Sequence, residues 1–317
     1  MVGRTIGLKL LLLIPVIFLV SVATFMMTEL LPGDPAVAIL GENATPRRIA
    51  VVREQLGLDQ PLVERYLDWA GDALQGDFGR SIISNQPVLD AFKERLPVTL
   101  QLAVMAQVIA LALAIPFGAW SAWRAGGRFD RGTTTFSFAI VGLPPFLLGI
   151  LLVYVLALQW QVFPVTGWEP FSGGLRANLE HAFLPALTLG LAEFAIYTQL
   201  LRGDMAVTLQ EDFVLSARAR GLSSRHILLR EALRPSSFSL ITLAGVNLGR
   251  LIGGTIIVEK LFGLGGVGTL VTQAIPQKDF PVLQGSVLIL AVAYLLINTA
   301  VDVGYNFIDP RVRRGNA

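Results

Sequence analysis

Residues 97–123 read PVTLQLAVMAQVIALALAIPFGAWSAW, from Pro97 to Trp123, without a single Asp, Glu, Lys or Arg. A bilayer core about 30 Å thick is crossed by roughly 20 apolar residues in helical conformation, so this stretch can span it with residues to spare. Hydrocarbon offers no partner to a bare N–H or C=O, which leaves the helix, with its internal bonds, as the conformation of such a run. Five further stretches have the same character, approximately Leu8 to Leu31, Thr133 to Gln159, Phe183 to Leu201, Ser236 to Val258 and Val282 to Phe307. The expected fold is all-α: a polytopic membrane protein with six transmembrane helices in one domain over residues 1–317.

Composition agrees. The chain is 53% hydrophobic and 15% charged, with a mean hydropathy of +0.62, far more apolar than soluble proteins. A net charge of +2 makes no case for nucleic acid. The absence of cysteine excludes disulfides, thiolate metal sites and cysteine nucleophiles, and His181 and His226 stand too far apart in the sequence to suggest a metal centre. No metal site is therefore expected.

Arg4 and Lys9 precede the first apolar run, and Ala36-Val37-Ala38 imitates a cleavage site. The run Leu10 to Met27 is longer than a signal core and Ala36 lies well beyond it, so an uncleaved anchor is expected. With the N-terminus inside, the inner segments hold Arg4, Lys9, Arg124, Arg128, Arg131, Arg202, Arg218, Arg220, Arg225, Arg230, Arg234, Arg311, Arg313 and Arg314. The two short outer loops hold only Arg176, Lys260 and Lys278. Basic residues accumulate in cytoplasmic loops, which gives an N-in, C-in topology. The outer loop 32–96 is too long for that rule; Ile49, Val52 and Leu56, then Leu62, Tyr66, Trp69, Ala70 and Ala73, recur at helical spacing. A small helical cap on the outer face is expected there, with an interfacial helix as the competing reading.

Residues 205–235 form the longest inner connection. Glu211 and Asp212 suit a helix start, Arg218 and Arg220 its end, and Gly221 the left-handed residue that stops it. Ser223 or Ser224 can cap a second short helix that ends before Pro235. Ala217 and Ala219 leave room for close packing, so the pair forms a knob able to enter a groove on another protein.

This loop, Ser216-Ala217-Arg218-Ala219-Arg220-Gly221-Leu222, resembles the EAA loop of ABC importer permeases, in the form of the dipeptide/oligopeptide family and its first-permease (B-type) subunit. The resemblance covers nearly the whole chain. Its other motifs are Leu31-Pro32-Gly33-Asp34-Pro35, Gln55-Leu56-Gly57-Leu58-Asp59 followed by Pro61, Gly76-Asp77-Phe78-Gly79, Leu96-Pro97-Val98-Thr99-Leu100, Glu259-Lys260-Leu261-Phe262 and Asp309-Pro310-Arg311-Val312-Arg313. Leu215 and Ser216 depart from it, standing where the loop's name-giving glutamate and first alanine are expected. The resemblance implies that residues 215–221 are a coupling helix docking on an ATPase, so Leu215, Ser216, Ala217, Arg218, Ala219, Arg220, Gly221 and Leu222 are the candidate docking residues. It also implies two ATPase subunits or domains holding ATP and Mg, a second homologous permease, an extracytoplasmic solute-binding protein and a bacterial inner-membrane location. No cofactor is expected in this chain.

Gly263-Leu264-Gly265-Gly266-Val267-Gly268 satisfies G-x-G-x-x-G, yet it lacks a P-loop lysine and a strand-rich surround, so it is not read as a nucleotide site. By the resemblance, the outer loop 259–284 faces the binding protein, with Gly263, Gly265, Gly266 and Gly268 as a candidate gating stretch and a flexible connector as the competing reading. Within the spans, ionisable groups are costly and face a cavity or a partner. Glu193, and Arg250 with Asn247, form the candidate path, where a zwitterionic peptide would find both charges; a structural pair is the competing reading. Asp302 with Asn298 is read as structural, and Glu29 as reaching water. Gly245, Gly249, Gly253 and Gly254 make a small-residue face for either a second subunit or intrachain packing.

The expected function is thus a transmembrane permease for peptides or similar solutes, not itself an enzyme. An ion-gradient-coupled secondary transporter is the alternative, but no convincing pair of discontinuous helices appears. An intramembrane enzyme lacks a catalytic set: no HExxH or Gly-x-Ser-x-Gly occurs in the spans.

Overall fold

The computed structural model describes residues 2–30, 35–40, 44–55 and 57–308. Leu31 to Asp34, Leu56, the tail Asp309 to Arg313 with Arg314, and the side chains of Glu29 and Asp302 lie outside the described residues. No β-strand occurs among those described, only the isolated bridge between Arg80 and Pro87.

The helices are α1 (Val2–Leu30), α2 (Pro35–Leu40), α3 (Pro46–Gln55), α4 (Leu62–Leu74), α5 (Val88–Trp123), α6 (Arg128–Val141), α7 (Pro145–Leu152), α8 (Leu175–Thr208), α9 (Asp212–Ala219), α10 (Ser224–His226), α11 (Leu233–Leu261), α12 (Val267–Gln277) and α13 (Phe280–Ile308). Among the described residues, four rods are long and apolar enough to cross a membrane: α5, α8, the continuous stretch Ser224–Leu261 and Phe280–Val301 of α13. A fifth candidate is the pair α6–α7, and α1 carries the shorter apolar segment Leu11–Met27.

Hydropathy locates only the apolar middles of these rods. The 36 residues of α5 extend about 54 Å at 1.5 Å per residue, well beyond a hydrocarbon core. The additional turns before Pro97 carry Asp90, Lys93, Glu94 and Arg95. Two sequence expectations need correction. The third apolar segment, read as a single helix, is broken: α6 and α7 meet at 110°, because Pro144 and Pro145 follow Gly142 and Leu143, and two successive residues without N–H cannot continue a helix. Helix α7 then passes into π-helical turns over Val153–Gln159. The second helix of the inner loop does not stop before Pro235. It runs into α11 through a π-helical stretch, Ile227–Ala232, where Leu233 N donates to Leu228 O five residues back. That wider turn lies just upstream of Pro235, whose ring would clash with the carbonyl four residues before it.

The chain divides into two compact units. The first comprises Met1–Thr99 and Gly265–Leu296. In it α4 lies on α1, with Tyr66 Oη 2.7 Å from Ser21 Oγ and the Tyr66 and Trp69 rings against Phe25. This cluster accounts for the aromatic half of the α4 pattern. Val88, Ala91 and Phe92 of α5 pack with Val267, Leu270, Val271 and Ala274 of α12 and Val282 and Leu283 of α13. Buried Asp279 accepts from Ser81 Oγ at 2.5 Å and from Ile82 N at 3.1 Å, fixing the turn before α13 to the segment before α5.

The second unit comprises Leu100–Leu264 and Ile297–Ala317, and α8 is its centre. Lipid-like surroundings provide little hydrophobic drive between helices, so close backbone approach through small residues takes its place. Ala106, Ala110 and Ala114 of α5 are fully buried, as are Ala182 and Ala186 of α8. A Cβ on Gly190 would come within 2.9 Å of Ala106 O, and one on Gly118 within 3.1 Å of Thr198 O. Both contacts advance along the two helices together, so α5 and α8 run parallel, and the chain between them returns through α6 and α7. Helix α11 is antiparallel to α8: Ser236 bonds Thr208 at one level, and Asn247 and Arg250 reach Glu193 farther along.

Candidate functional site

The hairpin of α8 and α11 carries α9 at its tip. Glu211 has the extended backbone of an N-cap, Asp212 occupies the first turn and Arg218 the last, matching charge to the helix dipole. Gly221, at φ +76°, closes a Schellman motif in which Gly221 N donates to Arg218 O (2.9 Å) and Leu222 N to Ala217 O (3.2 Å). The expected left-handed stop is therefore present. Ser223 then caps the next helix, accepting from His226 N at 3.3 Å.

One face of α9 is anchored and the other is offered. Val214 and Ala217 are fully buried in a core containing Ala119, Ala122, Leu201, Met205, Leu209, Ile227 and Ala232. Phe213 and Leu215 are each about half-exposed, as is Leu229 in the following helix. Ser216, Arg218, Ala219, Arg220 and Gly221 are exposed and Leu222 is partly buried. Of the two alanines expected to give close packing, Ala217 does so; Ala219 lies outward.

Sequence reading missed what holds this end of the unit together. The Arg218 guanidinium lies over the Trp123 ring, 5.6 Å from its centroid. Asp130, 2% exposed, accepts from Arg202 Nε and from its NH2 (2.8 Å), and also from Gly126 N at 2.8 Å. Trp123 resembles any interfacial tryptophan in sequence, and Asp130 and Arg202 lie 72 positions apart, so neither contact has a local signature.

Glu193, Asn247 and Arg250 do come together. Asn247 Nδ2 donates to Glu193 Oε2 and Arg250 NH2 to Oε1, both at 2.7 Å. The Glu193 side chain is 6% exposed and that of Arg250 56%. One turn along, buried Tyr197 donates to Gln107 Oε1 at 3.2 Å. Both carboxylate oxygens are thus occupied and covered, leaving only the cation open. Gly245 packs within the chain, since a Cβ there would meet Val301, while Gly253 and Gly254 face open space.

The glycine-rich stretch is divided between the units. Gly263, at φ +64°, ends α11 in a second Schellman motif, with Gly263 N on Lys260 O and Leu264 N on Glu259 O. Gly265 is open, Gly266 precedes α12, and Gly268 is buried within it. Val267 N donates to Thr99 Oγ1 at 2.9 Å, so the stretch leads into a packed helix.

Comparison with known proteins places this architecture. Residues 1–103 match the family described as the N-terminal part of binding-protein-dependent transport system membrane components, and residues 114–314 match the binding-protein-dependent transport system inner membrane component family. The chain is 36% identical over 300 residues to a probable peptide ABC transporter permease of Sinorhizobium fredii, covering 95% of this chain and 96% of that one. It is 39% identical over 308 residues to the glutathione transport system permease GsiC of Escherichia coli, covering 96% and 97%. Among solved structures, the methionine ABC transporter MetNI in inward-facing conformations matches with a TM-score of 0.58 at 13% identity, over 69% of this chain and 96% of that one. An amino acid ABC transporter with histidines matches at 0.50 and 15%, over 70% and 94%; likeness at these identities concerns the fold alone. The chain belongs to the family of binding-protein-dependent transport system inner membrane components. It is a helical multi-pass membrane permease of that class.

Proposed function

We propose that this chain is the permease subunit of an ATP-driven importer of di- or oligopeptides or similar solutes across the bacterial inner membrane, with six spans and both termini inside. The observation that carries this reading is the construction of α9: a short helix rooted by buried Val214 and Ala217 that presents Phe213, Leu215 and Leu229 among basic side chains. Apolar side chains left open beside exposed charge mark a surface made for another protein. The six spans are α1, α5, the bent pair α6–α7, α8, the rod Ser224–Leu261 and α13. Contacts gather the ends of α5 and α8, the start of α6, α9 and the start of the rod, bringing Arg124, Arg128, Arg131, Arg202, Arg218, Arg220, Arg225, Arg230 and Arg234 to one end of the unit. The positive-inside rule makes that end cytoplasmic.

In this reading two ATPase subunits bind ATP and Mg and dock on Leu215 to Leu222. A second permease completes the path, and a solute-binding protein delivers cargo at the opposite face, near Gly263 to Gly268. ATP-driven closure pulls the docking helices and switches access between the two faces. Half-exposed Arg250, braced by Glu193 and Asn247, lines the path, since an open guanidinium within a span faces water or a partner rather than lipid. The peptide and glutathione permeases among the relatives support the substrate class.

The test is to express the tagged chain with the ATPases and second permease encoded beside it, and to measure ATPase recovery and binding-protein-stimulated hydrolysis for wild type and Gly221→Asp. Recovery and stimulation in the wild type, lost in the variant, are expected. Solute movement by the purified chain alone, driven by an ion gradient, would replace this reading with a secondary transporter.

A further inference from the structure

We infer that Trp123 is a positioning residue that gears the docking helix to the transmembrane helices; this rests on the docking role of α9 given above. The covalent route from α9 into the spans is indirect. On one side it passes through the turn Leu209 to Glu211 and on the other through Arg220 to Ser223, whose backbone bonds are those of turns and caps. A non-covalent route through packed side chains runs beside them.

It begins where Arg218, four residues after the buried anchor Val214, lies over the ring of Trp123, the last residue of α5. The indole is itself packed against the core that holds Val214 and Ala217. From Trp123 the path enters α5, which touches α8 backbone to side chain with no room for an added Cβ at Gly118 or Gly190. The turn beyond Trp123 is locked as well. The Asp130 carboxylate holds Gly126 N and, with its two oxygens, the Arg202 guanidinium of α8. Fork-on-fork geometry of this kind fixes orientation as well as distance. Buried Val214 and Ala217 root the docking helix against the ends of α5 and α8, and the Arg218–Trp123 contact adds a second hold that fixes its orientation on that block. Without that contact, α9 keeps its fold, its buried anchors and its exposed face but is held less firmly in orientation against the end of α5.

The role predicts loss of coupling rather than loss of docking. The complete transporter is reconstituted in liposomes with its binding protein, using trialanine and glutathione as probes, and solute taken up per ATP hydrolysed is measured. Trp123→Leu should retain the ATPases while uptake per ATP falls roughly two- to thirtyfold, the range expected for losing a cation–π contact. Trp123→Phe, which keeps an aromatic face, should recover most of it. In an Arg218→Gln background, Trp123→Leu should add much less, because the cation–π contact is already gone and only the indole's core packing remains to be lost. An unchanged ratio in Trp123→Leu, or an equal further fall in the Arg218→Gln background, overturns the inference. Should Trp123→Leu not fold, the comparison rests on Trp123→Phe in the two backgrounds, where a fall seen with Arg218 must vanish without it. A wild type that recovers no ATPase defeats the underlying reading instead, and is distinguishable because the defect then precedes any substitution.

Discussion

Arg250 NH2 lies 2.7 Å from Glu193 Oε1, joining a half-exposed guanidinium on α11 to a buried carboxylate on α8. The asymmetry of burial decides what each partner does. The carboxylate is consumed as an internal brace, whereas the cation keeps donors in reserve. Removing the cation should therefore harm folding more directly than removing the anion. Arg250→Ala strands a buried charge, at a cost of about 3 kcal/mol, the low end for such pairs because Arg250 is half open. Arg250→Ala combined with Glu193→Gln should regain much of that. Thermal unfolding of the detergent-purified chain, followed by tryptophan fluorescence, reads both.

Glycines in the same molecule should respond in opposite ways. Gly190→Ala places a methyl 2.9 Å from Ala106 O, while Gly253→Ala meets nothing within 4 Å. The first should destabilise by about 1–3 kcal/mol through overpacking. The second should be neutral or slightly stabilising as a helix substitution. Paired thermal melts check the contrast; equal effects would mean that α5 and α8 do not approach so closely.

Gly221→Ala should cost about 1–2 kcal/mol locally, because an L-residue is strained at its φ of +76°. The added Cβ has open space, so the penalty falls on the turn rather than on packing. ATPase recovery should weaken measurably while the melting temperature of the spans changes little. Gly203→Ala, likewise open but mid-helix, is the control and should leave recovery unchanged.

Asp279→Ala removes the acceptor of both Ser81 Oγ and Ile82 N. Its side chain is buried, so two donors lose their partner at once, and a loss of about 2–3 kcal/mol is expected. Asp279→Asn, which keeps one acceptor, should lose less. Proteolysis in the segment 80–87 is the readout.

Long apolar runs made the fold class legible, because a spanning helix needs only continuous hydrophobicity, and the build of the α9 loop was legible because caps and stops are local. Gly221 and Ser223 act through bonds to residues three to five positions away, so their spacing in the sequence is the spacing of the interaction. What escaped was non-local or outweighed by context. The Pro144-Pro145 break was visible as residues but was hidden beneath uniform hydropathy. Pro235 implied a stop that the upstream π-helical stretch removes. Asp130 and Arg202, or Trp123 and Arg218, meet only because α5 and α8 run parallel, and nothing in either segment alone reports that direction.

The central claim is that α9 faces a cytoplasmic ATPase, and site-specific crosslinking tests it most directly. The chain has no cysteine, so a single Leu215→Cys can be crosslinked to the ATPase in membranes without background, with Ser84→Cys in the segment assigned to the outer face as its counterpart. The account predicts an ATPase adduct from Leu215→Cys and none from Ser84→Cys. An adduct from Ser84→Cys with none from Leu215→Cys would contradict both the docking role and the orientation.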